Sequence, residues 1–295
     1  MKLRIMHVTE YTYTQPVTDS VNEVRLTPCT NEWQSCYQHA IAVEPNAPLQ
    51  SYEDFFGNRV TAFSVNEPHS KLTIRTQMTV VTTDPGSGRG SARKGRLFTP
   101  AEAWDWLARD EAMDRFAEYL LPTSYTTATP EVLVFAGLDE RESEEPAAVY
   151  DWLAQLSERI RQEFTYDAEA TDVKTKVADM IGTRRGVCQD FAHLMITICR
   201  SRSIPARYVS GYQFIGDLQE EGTSFQHASH AWVEAYVPNR GWCAFDPTNP
   251  SEVGERYVKL GHGRDYKDIV PVKGVYRGSG GQHLDVSVIV EQLEG

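Results

Sequence analysis

The chain reads as an α+β protein in which a β-rich N-terminal segment precedes helices packed on a mainly antiparallel sheet. Three observations predict this: period-two alternation before residue 83, two amphipathic helical stripes between 149 and 203, and strand-like runs from 207 onward. In the first part Leu3 and Ile5, then Tyr11 and Tyr13, alternate with polar residues, and Lys71-Leu-Thr-Ile-Arg-Thr-Gln-Met-Thr-Val-Val repeats the period. Turn signals at Gly57-Asn58 and Glu67-Pro68 punctuate these runs. Residues 1–83 are therefore expected to form an antiparallel β domain.

Asp84-Pro-Gly-Ser-Gly-Arg-Gly-Ser-Ala-Arg-Lys-Gly95 has no apolar residue larger than alanine, the composition of a linker or exposed loop, so a boundary is expected over 84–99 and a second domain over 100–295. Thr99-Pro100 before Ala-Glu-Ala-Trp-Asp-Trp-Leu carries the N-cap and early-proline signature of a helix start. Glu145-Pro146 opens another helix, in which Val149, Trp152, Leu153, Leu156, Ile160 and Phe164 recur at three- and four-residue intervals and make one apolar stripe. Segment 188–203 shows the same period through Phe191, Leu194, Met195 and Ile198. The runs after 207, His230-Ala-Trp-Val-Glu-Ala-Tyr-Val, Gly241-Trp-Cys-Ala-Phe-Asp and Leu284-Asp-Val-Ser-Val-Ile-Val, supply the strands of the second domain's sheet. Its core motifs lie within 150–250.

Composition narrows the functional classes. The 295 residues, 41% of them hydrophobic, can bury a core without disulfide staples. A net charge of −12 opposes the counterion release that drives binding to a phosphate backbone, so nucleic acid is not an expected partner. No run approaches the roughly 18 apolar residues of a membrane span. The N-terminus enters alternating residues directly, without the apolar stretch of a secretory signal, and a cytoplasmic location with no membrane partner is expected. Five irregularly spaced cysteines, Cys29, Cys36, Cys188, Cys199 and Cys243, are a poor disulfide framework.

One of them stands apart. In Gly186-Val187-Cys188-Gln189-Asp190-Phe191-Ala192 the cysteine sits in the first turn of an amphipathic helix. A helix N-terminus offers unpaired N–H groups and a positive dipole end, which favour thiolate over thiol and can receive the oxyanion of a tetrahedral intermediate. Attack on an amide also needs a proton donor for the departing amine, a task suited to histidine, and His230 heads a strand that can return to the helix end. Asp246 ends the next strand, and a turn at Val237-Pro-Asn-Arg-Gly241 would bring it to His230, where a carboxylate fixes the imidazole tautomer.

Plainer readings compete for each residue. A lone cysteine in an apolar helix is ordinarily core, and Cys29, Cys36, Cys199 and Cys243 are read so. His227 and His230 could ligate zinc with Cys243 or Cys188, but a spacing of three on a strand points the rings to opposite faces. His193 lies five residues after Cys188 and faces about 140° away on a helix, which disqualifies it as the base. Asp190 either complements the helix dipole or orients substrate, and Arg207 and Tyr212 either line a pocket or serve the core and its ion pairs.

Four ordered blocks, Arg185-Gly-Val-Cys-Gln-Asp-Phe-Ala, Arg202-Ser-Ile-Pro-Ala-Arg-Tyr-Val-Ser-Gly-Tyr, His230-Ala-Trp-Val-Glu and Phe245-Asp-Pro-Thr-Asn, resemble the transglutaminase-like superfamily. They match most nearly its bacterial cysteine-peptidase branch, and residues 1–83 more loosely resemble the β-rich domain that precedes the core there. The resemblance implies a papain-like fold and a catalytic Cys188, His230 and Asp246. It implies a cysteine-dependent peptidase, amidase or transglutaminase-like acyltransferase acting on a peptide, protein or small amide. No cofactor and no metal are expected, because the acidic stretches near 139–145 and 217–221 lack EF-hand spacing. Oxyanion partners for the Cys188 N–H do not follow from the motif; Gln189 and Trp232 are the candidates. The alternative is a non-catalytic peptide-binding module on the same fold.

Overall fold

The computed structural model describes residues 1–84, 97–137, 147–171, 173–216 and 229–293. Strand β1 (Lys2–Val24) organises the N-terminal sheet. Its apolar residues alternate, and Leu3 and Ile5 are fully buried. Its pairing register with β5 shifts between Thr12 and Val17. The first stretch pairs with β5 (His69–Thr82), and the last with β4 (Arg59–Val65). Strands β2 (Gln34–Glu44) and β3 (Gln50–Glu53) complete the order β2-β5-β1-β4-β3, all antiparallel.

Past residue 97 the character changes. Helix α1 (Pro100–Leu107) starts as its sequence predicts, with the Thr99 hydroxyl accepting from the Glu102 N–H and the Glu102 carboxylate accepting from the Thr99 N–H. Short helices α2 (Asp110–Arg115), α3 (Ala117–Leu120) and α4 (Pro130–Ala136) follow. Helix α5 (Val149–Glu163) buries Val149, Leu153, Leu156 and Ile160, while Trp152 meets Trp104 edge-on at its rim. Its expected opening at Glu145-Pro146 and most of the expected linker lie outside the described residues.

Strand β6 (Thr165–Tyr166), helix α6 (Val177–Thr183) and strand β7 (Arg185–Gly186) lead into helix α7 (Cys188–Ser201). This is the central helix: every residue from Gln189 to Arg200 is buried. It packs on an antiparallel sheet of order β10-β9-β8-β11, formed by β8 (Ala206–Gln213), β9 (Ser229–Val237), β10 (Gly241–Phe245) and β11 (Tyr257–Gly263). Ala206, Tyr208, Ala231, Val233 and Ala235 share one core with α7. Tyr212, Val258 and Leu260 instead join Leu3, Ile5 and Met78 of the N-terminal sheet in a second core. The four-stranded sheet is thus covered by helices on one side and by the β module on the other.

That second contact is also polar. The Asn58 side chain pairs with β11 as a strand would, donating to the His262 carbonyl and accepting from its N–H, both at 2.8 Å. Gln34 does the same to Lys259, again at 2.8 Å each way. Between these clamps Glu234 accepts from the Lys259 ammonium at 2.7 Å and from the Arg207 guanidinium at 2.6 Å. Burial pushes the Glu234 carboxyl up, but the two cations outweigh it and hold it at about 2.

The expected domain division needs one correction. Strands β12 (Val272–Arg277) and β13 (Gln282–Gln292), assigned from sequence to the catalytic half, both pair with β1, β13 in an unbroken register from Leu3↔Gln292 to Tyr13↔Gln282. Val288 and Val290 bury themselves in the N-terminal core. Alternation fixes which face of a strand is apolar but says nothing about which sheet receives it.

Candidate active site

Cys188 is the first residue of α7, and its position is set by the two residues before it. Val187 is extended, and its N–H donates to the Asp190 carboxylate at 2.9 Å. The Thr171 hydroxyl donates to the same oxygen at 2.7 Å. Asp190 therefore caps the helix, the structural alternative of the two open in the sequence. Gly186 is bare by necessity, since a Cβ there would stand 2.8 Å from Asp190 Oδ2.

His230 is the second residue of β9, and Asp246 follows the last residue of β10. The register that pairs Phe245 with Val233 carries Asp246 toward the head of β9, and His230 Nε2 lies 2.7 Å from Asp246 Oδ2. Cys188 lies close enough to His230 for its sulfur to act on the imidazole. The three residues singled out in the sequence gather at one place.

Electrostatics follow from the burial of both partners. Burial pushes the imidazole down, but its bonds to Asp246 and Cys188 and the charges behind them outweigh that effect and raise His230 to about 10. Burial pushes Asp246 up, and His230, the Asn249 amide and the Thr248 N–H together hold it below the ordinary carboxylate range. These influences favour the protonated imidazole beside the Asp246 carboxylate.

The carboxylate is more heavily supported than the sequence suggested. Asp246 Oδ1 accepts from the N–H groups of Thr248 and Asn249 at 2.8 and 3.2 Å. Oδ2 accepts from the Tyr257 hydroxyl at 2.9 Å and from Asn249 Nδ2 at 3.0 Å. Gln213 closes a ring, donating to the Tyr257 oxygen at 2.9 Å and accepting from Asn249 Nδ2 at 3.1 Å. Asn249 stands inside a recognised block, so a signal for it existed, whereas Tyr257 and Gln213 come together only through the pairing of β8 with β11. Trp232 lies over the backbone of Gly211, where a Cβ would meet the Val258 carbonyl at 2.1 Å, and packs edge-on against Tyr257.

Other sequence candidates fall to plainer roles. His193 is fully buried, stacked on Tyr125, and its Nε2 accepts from the Tyr266 N–H; burial drives it down to about 3. Cys199 is sealed in the helical core, its thiol pushed up to about 12 by burial. Arg207 is the ion-pair partner of Glu234 and lies 4.1 Å over the Trp242 ring, and Tyr212 is buried against His7. His227, the second ligand of the zinc alternative, lies outside the described residues. Of the two candidate oxyanion partners, the Gln189 amide donates to the Val173 carbonyl, and Trp232 is only 2% exposed. A cavity of about 580 Å³ lies beside Asp246 and Asn249, between α5, β10 and Trp33, but neither Cys188 nor His230 lines it, so it does not lead to the sulfur.

Comparison with known proteins agrees with this architecture. An uncharacterized protein of Mycobacterium leprae is 35% identical over 294 residues, 99% of each chain. A protein-glutamine gamma-glutamyltransferase of Pseudomonas aeruginosa is 31% identical over 162 residues, 52% of this chain and 23% of that one. In three dimensions a candidate cysteine protease from Cytophaga hutchinsonii superposes with a TM-score of 0.71 at 24% identity, covering 100% of this chain and 92% of the other. Residues 3–81 match the bacterial transglutaminase-like N-terminal region and residues 136–247 the transglutaminase-like superfamily. A cysteine-bearing helix set on an antiparallel sheet, behind an N-terminal β module, therefore places this chain in the transglutaminase-like superfamily.

Proposed function

We propose that the protein is a cysteine-dependent amide-bond hydrolase or acyltransferase that works through an acyl-thioenzyme, with Cys188 as nucleophile, His230 as acid and base, and Asp246 as the group that orients the imidazole. The observation that carries this is the placement of His230, with Nε2 on the Asp246 carboxylate at 2.7 Å and the ring near enough to Cys188 to feel its sulfur. The Cys188 sulfur attacks the substrate carbonyl carbon, and the C=O π electrons move to oxygen. Collapse of that tetrahedral species expels the amine, which takes its proton from His230. Water or a second amine then gives a proton to His230 and attacks the thioester, and the sulfur leaves. A peptide, protein or small amide is the expected substrate class. Likeness to a glutamyltransferase over part of the chain supports acyl transfer as the reaction type.

Mass spectrometry after brief treatment with iodoacetamide at neutral pH tests the nucleophile: Cys188 is expected to be labelled ahead of Cys29, Cys36, Cys199 and Cys243. Labelling no faster than the other thiols overturns the reading, as does full activity in Cys188→Ala. Incubation with a peptide library, with and without a primary amine, separates hydrolysis from transfer: free acid in both mixtures means hydrolysis, and an amide adduct in the second means transfer.

A further inference from the structure

We infer that Gln213 is a positioning residue of the proposed site: its amide aims the Tyr257 hydroxyl and the Asn249 amide at the one Asp246 oxygen that holds His230. This assignment rests on the proposed acyl-thioenzyme chemistry and deepens it. Gln213, the last residue of β8, stands directly opposite Tyr257, the first of β11, and opposed residues of neighbouring strands share a face. Its side chain donates to the Tyr257 oxygen at 2.9 Å and accepts from Asn249 Nδ2 at 3.1 Å. Both partners are side chains that themselves bond Asp246. A residue that only tied β8 to β11 would have no use for Asn249, which lies beyond the end of β10.

Chemistry forces the sense of each bond. An ionised carboxylate can only accept, so Tyr257 spends its single proton on Asp246 Oδ2 and its oxygen is left to accept. Gln213 meets that lone pair with its NH2, which turns its carbonyl to Asn249. The carbonyl takes one proton of the Asn249 amide, and the nitrogen of that amide, not its oxygen, is then presented to Asp246 Oδ2. A reversed Asn249 would set oxygen against oxygen at both ends.

These bonds converge on a single atom. His230 Nε2 lies 2.7 Å from Oδ2, the Tyr257 hydroxyl 2.9 Å and Asn249 Nδ2 3.0 Å, whereas Oδ1 is served by the N–H groups of Thr248 and Asn249. Hydrogen bonds to a carboxylate favour its charged form and lower its affinity for a proton. Tyr257 and Asn249 thus limit how tightly Oδ2 holds the imidazole proton. Gln213 keeps both in place and, by donating to the Tyr257 oxygen, strengthens that hydroxyl as a donor. An imidazole that must give a proton to an amine and later take one from water needs a hold that is firm but not too tight.

Deacylation reads that hold. p-Nitrophenyl acetate transfers its acetyl group to the Cys188 sulfur and releases p-nitrophenolate. Water then gives a proton to neutral His230 and attacks the thioester carbonyl, the C–S bond breaks, and acetate is released. With the sulfur acetylated the thiolate charge is gone, and the imidazole answers to Asp246. The rate of acetyl loss from the Cys188 peptide, followed by mass spectrometry across the neutral pH range, rises as His230 gives up its proton. In Gln213→Met the midpoint of that rise is expected to move up by about half a pH unit, the equivalent of part of one hydrogen bond. Tyr257→Phe, which removes one donor outright, is expected to move it the same way. Val258→Ala opens a cavity in the second core and should lower the urea midpoint while leaving the pH midpoint in place. An unmoved or lowered pH midpoint in Gln213→Met overturns the inference and leaves the triad standing. An equal upward move in Val258→Ala also overturns it, because any loosening of β11 then suffices. Wild-type protein that takes no acetyl group on Cys188 refutes the nucleophile reading, and the inference with it.

Discussion

Asp246 illustrates how much of a candidate site rests on the groups behind it. Its side chain collects five donors, from His230, Thr248, two from Asn249 and one from Tyr257. A buried carboxylate needs such company, since removal from water without partners costs several kcal/mol. Replacing Tyr257 by Phe deletes one charge-assisted bond and leaves the Gln213 amide without its acceptor. The expected loss is about 1.5–3 kcal/mol of stability, read as a lower midpoint in urea unfolding, together with slower alkylation of Cys188 as the imidazole loses its fixed orientation. At this scale the sequence was legible where chemistry is written in neighbouring residues: a glycine, a cysteine and a helical period announced Cys188, and strand ends announced His230 and Asp246. It was mute on Tyr257 and Gln213, which are 44 residues apart and meet only because two strands pair.

The start of α7 carries Cys188, the proposed nucleophile, and its geometry is held by one carboxylate. Gly186→Ala would drive a methyl group to 2.8 Å from Asp190 Oδ2 and displace the cap. That substitution is expected to cost about 1–3 kcal/mol, as overpacking does, and to slow Cys188 alkylation. Asp190→Ala removes the cap without adding bulk and should cost about 0.5–2 kcal/mol. Circular dichroism during thermal unfolding reads both. Helical elements were the most legible part of the chain, because α1 and α5 display capping and stripe signals over a full turn or more. Strands were recognised as strands, yet β13 was sent to the wrong sheet, since the row Leu284, Val286, Val288, Val290 is equally suited to any apolar surface.

Across the whole molecule, buried titratable groups set the response to pH. His7, His193 and His262 are driven down to about 4, 3 and 3, mainly by burial, so each is neutral when folded and takes up a proton on unfolding below 6.5. Their contribution is complete above 6.5 and is lost as pH falls toward those values, at about 1.4 kcal/mol per pH unit for each group. His230 has the opposite sign: raised to about 10, it stabilises fully below 6.5, and that share is lost as pH rises through 10. Thermal midpoints should therefore peak near neutral pH and decline on both sides, with the alkaline decline reduced in His230→Gln. The ion cluster under the sheet adds a further expectation. Glu234→Ala strands Arg207 and Lys259 in the interface and should cost about 3–5 kcal/mol, seen as a lowered urea midpoint. The pairing of β13 with β1 bears on how the protein is made. During synthesis β1 emerges before the helices and the central sheet and waits, one flank uncovered, while they are still being translated. Only when β13 leaves the ribosome can that flank be closed, so a chain stopped after β11 would present a long open edge to its neighbours and tend to aggregate.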